Sequence, residues 1–96
     1  MGTNKNKPKQ GKYPSQPRLD QYRVGSIIEY KVPEKNINDF YQIVRIDKLK
    51  NAPMTYAVHF WKVGTPEPTS IDKTNWNGSH QVNEMLDMGY MRVASY

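Results

Sequence analysis

The amino-acid sequence predicts a small, mainly β (β-rich α+β) domain with one short helix near its C-terminus, preceded by a basic tail. Three observations carry that prediction. Three apolar runs before residue 64 repeat with period two, the signature of strands with a covered face. Tyrosine dominates the aromatic residues, with seven Tyr against two Phe and two Trp, and it fits a pleated, half-buried surface. A chain of 96 residues holds one compact core and leaves no room for a second domain.

The first strand is expected over Val24 to Val32. Ile28, Tyr30 and Val32 share one face, and Glu29 and Lys31 share the other. Gly25 near its start permits a bend or bulge, and Pro33 ends it because proline has no N–H for the ladder. Residues Glu34 to Asp39 read as a polar linker. The second strand covers Phe40 to Asp47, with Phe40, Gln42, Val44 and Ile46 on one face and Tyr41, Ile43 and Arg45 on the other. Both faces are partly apolar, so both are expected to be partly covered. The third strand, Thr55 to Val63, is the clearest. Tyr56, Val58 and Phe60 line one face, and Ala57, His59, Trp61 and Val63 the other. Strands in such close succession pair most simply as an antiparallel meander.

Gly64 to Ser79 is a long segment punctuated by Pro66 and Pro68, and Ser70 to Trp76 is a candidate short fourth strand. Asn77-Gly78 then poses a fork. It is a strong hairpin signal, but its flanks alternate poorly. The preferred reading makes Ser79 a helix N-cap. Val82, Met85 and Leu86 then form the buried stripe, and Gly89 is the C-terminal stop. Tyr90 to Ser95 returns as a last strand.

The net charge of +5 is unevenly placed. Residues 1–18 carry Lys5, Lys7, Lys9, Lys12 and Arg18 and no acid, whereas residues 19–96 carry nine bases and nine acids. Residues 1–18 also hold three prolines, with Met1 and Tyr13 as their only large apolar side chains. Such a segment buries too little surface to offset its ordering entropy, so it is expected to be disordered when free. It is either a solubilising leader or an arm that touches phosphates or an acidic protein surface. Residues 19–96 form the single domain.

The layout of five short strands, with a helical turn before the last, resembles a small SH3-like barrel over about Arg23 to Tyr96. The chain also resembles the short accessory proteins that bacteriophages encode, which are compact and cysteine-free with a basic leader. That likeness implies action in the host cytoplasm. The rival architecture is an open antiparallel sheet with one helix packed on a face.

The absence of cysteine excludes disulfides and thiolate metal sites, and fits a reducing cytoplasm. No apolar run approaches a membrane span, and the N-terminus lacks the apolar core of a signal peptide. Asn6 stands where a myristoylation signal wants Ser or Thr. His59 reads as a sheet-face residue. His80 next to Ser79, with Asp72 nearby in sequence, lacks the arrangement of a nucleophile, base and orienting acid. Two histidines and scattered carboxylates show no metal-ligand spacing, and there is no glycine-rich phosphate loop. The expectation is a non-enzymatic binding module without metal, cofactor or small-molecule substrate.

Two kinds of partner follow. For DNA or RNA, the tail would contact phosphates, and Tyr41 with Arg45, and Trp61 with Lys62, would offer stacking and charge on the barrel face. For protein, the neutral Tyr- and Met-rich body would form the interface through Met88, Tyr90 and Tyr96, making the chain an adaptor or an inhibitor of a host protein. The sequence ranks nucleic acid first because the tail is its one compositional anomaly. It also supplies a criterion. Cations gathered on one face with aromatics favour nucleic acid, and cations alternating with acids around a Met/Tyr patch favour protein.

Overall fold

A computed structural model describes residues 16–51 and 55–96. Five antiparallel strands form one sheet: β1 (Ile27–Val32), β2 (Ile37–Lys48), β3 (Tyr56–Lys62), β4 (Asn75–Gly78) and β5 (Met91–Ser95). Their spatial order is β4-β3-β2-β1-β5, so the chain is a meander whose last strand returns beside the first. The helix α1 (Ser79–Met88) joins β4 to β5, the two edges of the sheet, and packs across one face. The fold is mainly β and compatible with a small barrel-like layout.

β1 begins later than the sequence suggests. Gly25 adopts φ +101°, a conformation open only to glycine at little cost, and its N–H donates to the Ile43 carbonyl at 2.7 Å. The chain therefore enters the sheet through a kink, and regular pairing starts at Ile27. Pro33 does end β1, opening a single 3-10 turn over Pro33–Lys35 that is closed by Asn36 in the left-handed region. The polar stretch after it is not all linker. Ile37, Asn38 and Asp39 pair with Val32, Lys31 and Tyr30. Backbone pairing is indifferent to side-chain polarity on the solvent face, so β2 extends three residues earlier than its apolar pattern.

The second departure matters more. β2 does not alternate strictly. Ile43 pairs with Phe60 and Arg45 with His59, leaving Val44 as an extra residue in a bulge. The bulge shifts the phase of the strand by one. Tyr41 and Ile43 before it, and Ile46 after it, all face the helix side, where they pack on the core. Arg45 turns to the other face.

On the helix side, Tyr22, Ile28, Ile43, Val58, Phe60, Val82 and Met91 form the core. Val82, with Met85 and Leu86 packed against the same cluster, is the predicted stripe of α1. The Asn77-Gly78 fork resolves as strand running directly into helix. Gly78, not Ser79, is the N-cap, and its N–H donates to Gln81 Oε1 at 2.9 Å. A Cβ on Gly78 would lie 2.9 Å from the His80 ring, so a side chain there would displace that ring. Gly89 ends the helix at φ +85°, as predicted, and the Tyr90 N–H reaches back to the Met85 carbonyl at 3.0 Å. The expected fourth strand over Ser70 to Trp76 starts only at Asn75, because Ile71–Lys73 forms a second 3-10 turn.

Candidate functional site

The helix side of the sheet is filled at one end and open at the other. Near residues 16–23, Tyr22 is fully buried and its hydroxyl donates to Asn83 Oδ1 on α1 at 2.8 Å. Asn83 in turn donates to the Gln16 carbonyl at 2.9 Å. Beyond Met85 a cleft of about 400 Å³ opens among the described residues.

The floor of the cleft is aromatic. Tyr30 on β1, Tyr41 on β2 and Phe60 on β3 stand in a diagonal row. The Tyr30 and Tyr41 rings meet edge-on at 6.5 Å between centroids, and Tyr41 and Phe60 at 6.2 Å. These are the spacing and tilt that aromatic pairs favour. Met85 from α1 and Met91 from β5 form one wall, and Asn75 and Asn77 from β4 the other. The strand register explains the gathering. Tyr30 pairs with Met91 across β1 and β5, and Phe60 with Asn75 across β3 and β4. Directly paired residues face the same side.

A second cleft of about 320 Å³ adjoins the first, and Phe60 and Asn75 line both. Its other walls come from Trp61, Lys62, Lys73, Thr74 and the loop carrying Thr65, Pro66 and Pro68. Hydrogen bonds hold that loop. Trp61 Nε1–H donates to the Pro66 carbonyl at 3.2 Å. His59 Nδ1 lies 3.1 Å from Thr74 Oγ1, whose own hydrogen is given to the Ile71 carbonyl at 2.6 Å. His59 is therefore the donor in that pair.

This geometry also answers a chemical question. Thr74, His59 and Asp47 stand in the order of a nucleophile, base and acid, with Asp47 Oδ2 3.7 Å from His59 Nε2. The hydroxyl hydrogen faces a carbonyl rather than the imidazole, so His59 does not activate Thr74. Burial holds the imidazole pKa below the ordinary histidine value, and the nearby Asp47 only partly opposes that. Among the described residues no cluster of three or more His, Asp or Glu could hold a metal ion, and no helix is long and apolar enough to cross a membrane.

The residues singled out from the sequence are dispersed. Tyr41 lines the aromatic cleft, but the bulge puts Arg45 on the other face, where it pairs with Asp47 at 2.6 Å. The expected Tyr41–Arg45 platform is thus not one surface. Trp61 and Lys62, neighbours on β3, both line the second cleft, and Trp61 gives its indole N–H to the Pro66 carbonyl there. Arg18 is not a free arm residue, since its guanidinium grips both Asp87 carboxylate oxygens at 2.7 and 2.9 Å. Lys5, Lys7, Lys9 and Lys12 lie outside the described residues. Met88 is exposed at 60%, on the last turn of α1 and away from the cleft walls. Tyr90 is half-buried just before β5. Tyr96 lies under the Arg23 guanidinium at 4.3 Å, and its hydroxyl donates to the Leu19 carbonyl at 2.8 Å.

The cleft residues to which the sequence reading gave no binding role are Tyr30, Phe60, Asn75 and Asn77. Met85 and Met91 belong to the C-terminal methionine cluster it linked to a protein interface, with Met85 read as part of the core stripe of α1. Tyr30 and Phe60 carried a usable signal, since both lie on the apolar parity of their strands. The asparagines carried none, because β4 is too short to show a period. No protein-family model matches the chain, and no curated protein or solved structure matches it.

Proposed function

We propose that this chain is a protein-binding module, and that the cleft beside α1 receives an extended segment of its partner. The observation that carries the reading is the contrast between the cleft and the charges around it. The cleft offers Tyr, Phe and Met side chains with two amides, the composition of an interface core. The four arginines are instead engaged with other groups. Arg45 pairs with Asp47, Arg92 with Glu29 at 2.7 Å, Arg18 with Asp87, and Arg23 covers Tyr96. Cations committed to neighbouring acids have less to gain from phosphates. Methionines at the wall suit an irregular apolar side chain because the thioether adapts its shape.

A second reading, association with DNA or RNA, draws on one observation: all of the excess positive charge falls in residues 1–18. Both readings meet in one experiment. The full chain, the chain starting at Leu19 and the variant Met85→Lys are each challenged with a displayed random dodecapeptide library and with single- and double-stranded DNA and RNA. The protein reading expects peptides enriched by both chain lengths and lost on Met85→Lys, with its thermal melt unchanged in form. Salt-sensitive nucleic-acid binding that survives the truncation, without peptide enrichment, overturns it.

A further inference from the structure

We infer that the partner segment carries an aspartate or glutamate two residues from a large apolar or aromatic side chain, with the acid held between Lys62 and Lys73. The inference rests on the peptide-binding reading above and specifies its ligand.

The two clefts are continuous through Phe60 and Asn75, but their chemistry differs. The first holds no charged side chain, while the second is lined by Lys62 and Lys73 and by no carboxylate. Lys62 lies two residues beyond Phe60 on the same face of β3, and Lys73 lies two residues before Asn75, the partner of Phe60. On β3 the step from Phe60 to Lys62 is one strand repeat, about 7 Å, Lys62 stands directly across from Tyr41, and Lys73 ends the 3-10 turn that leads into β4. An extended peptide repeats its side chains on one side with that same step. An apolar residue seated over Tyr41 and Phe60 thus brings the residue two positions away to the lysines.

Lys62 forms a loose ion pair with Asp39 Oδ1 at 3.6 Å, and its side chain is half exposed, so it can also reach an acid in the cleft. Lys73 is exposed and makes no ion pair among the described residues. Glu67 and Asp72 belong to the same loop, yet neither lines the cleft. Thr65 adds a hydroxyl to the lining, although its hydrogen is given to the Lys62 carbonyl at 2.7 Å. Charge complementarity thus selects an acid over an amide or a base in the partner.

The test uses the full chain and four probes followed by two-dimensional amide NMR. The first is a Gly-Ser-flanked peptide containing Asp-Ser-Phe-Ser-Asp, which places an acid on either side of the anchor. The second replaces both acids by Asn, the third replaces them by Lys, and the fourth is hexathymidylate. The expected result is shifts at Tyr30, Tyr41, Phe60, Lys62 and Lys73, with the acidic peptide binding about fivefold tighter than the Asn peptide. Lys73→Glu, an exposed change that leaves the melt unaltered, then abolishes that advantage and favours the Lys peptide. Equal binding of the acidic and Asn peptides at the cleft overturns the acid subsite and leaves the peptide groove standing. Hexathymidylate shifting the cleft while no peptide does overturns both, as does the absence of cleft shifts with every probe.

Discussion

The two faces of the sheet solve the same problem in opposite ways. The helix side carries the core and hides almost no charge. Tyr22 and Val82 fill one end of it, and at the other end Tyr30 and Tyr41 are left with only a partial cover beside the buried Phe60. On the other face the polar groups of Arg45, Asp47, His59 and Trp61 find partners in one another or in the loop, while Trp76 stays half exposed. A face whose polar groups already have partners gains little by binding. A face with unfinished apolar cover gains the area that a partner removes from water, roughly 25 cal/mol per Å². That asymmetry is why the proposed binding site is placed on the helix side.

The contrast can be broken most forcefully in the core. Ile43 is fully buried and stands just before the bulge. Ile43→Ala is expected to cost about 2–5 kcal/mol through lost transfer energy and the cavity left behind. Denaturant unfolding measures it, and a cost below about 1 kcal/mol means that the core side is not the stabilising face.

Next in size is the polar clamp at the filled end. Tyr22→Phe removes the hydroxyl that donates to Asn83 and keeps the ring. The expected loss is about 1–3 kcal/mol, because a buried acceptor loses its donor. Burial already pushes the Tyr22 phenol pKa up, so this hydroxyl remains a donor through the neutral range. Unchanged stability in the variant breaks the claim that this end is sealed by the tyrosine.

Acidification sharpens the comparison from the other face. His59 has a lowered pKa in the folded protein through burial. As pH falls below the ordinary histidine value of about 6.5, the unfolded chain takes up that proton first and stability declines. Glu29 and Asp87 act later. Their carboxyl pKa values are held low, that of Glu29 first by the Asn38 amide and then by Arg92, and that of Asp87 by Arg18. Their contribution is present above the ordinary carboxylate range and is lost as pH falls through the folded values. Thermal melts from neutral to about pH 2 therefore fall in two steps. His59→Gln removes the first step, and Glu29→Gln together with high salt weakens the second. A single step unaffected by His59→Gln contradicts the burial of that imidazole.

The smallest effect is expected at Arg45. Arg45→Ala removes an exposed pair with Asp47, and surface pairs contribute about 0–1 kcal/mol. Stability and peptide binding should both stay close to the parent values. A loss of nucleic-acid binding in this variant would instead assign function to the outer face.

Much of the fold was legible because it is local. The parity of Ile28, Tyr30 and Val32, the clear alternation of β3, the Val82–Met85–Leu86 stripe and the Gly89 stop all follow from residues within a few positions of one another. The site was less so. Tyr41 was singled out with Arg45 as its companion, and only Tyr41 lines the cleft. The two are four residues apart and share a face under strict alternation, and one inserted residue, Val44, separates them. Nothing in the composition around Val44 marks the bulge, because a bulge is a relation between two strands.

The sequence by itself determined the element types, the placement of net charge in residues 1–18 and the apolar parity of each strand, since period and composition act along the chain. Only the tertiary structure decided which faces meet. Pairing β2 against β3 with one extra residue sent Tyr41 to the cleft and Arg45 to Asp47. Folding across 69 positions committed Arg18 to Asp87. The return of β5 beside β1 brought Met91 to Tyr30. Those outcomes depend on register and through-space distance, and neither is written in any local stretch of the chain.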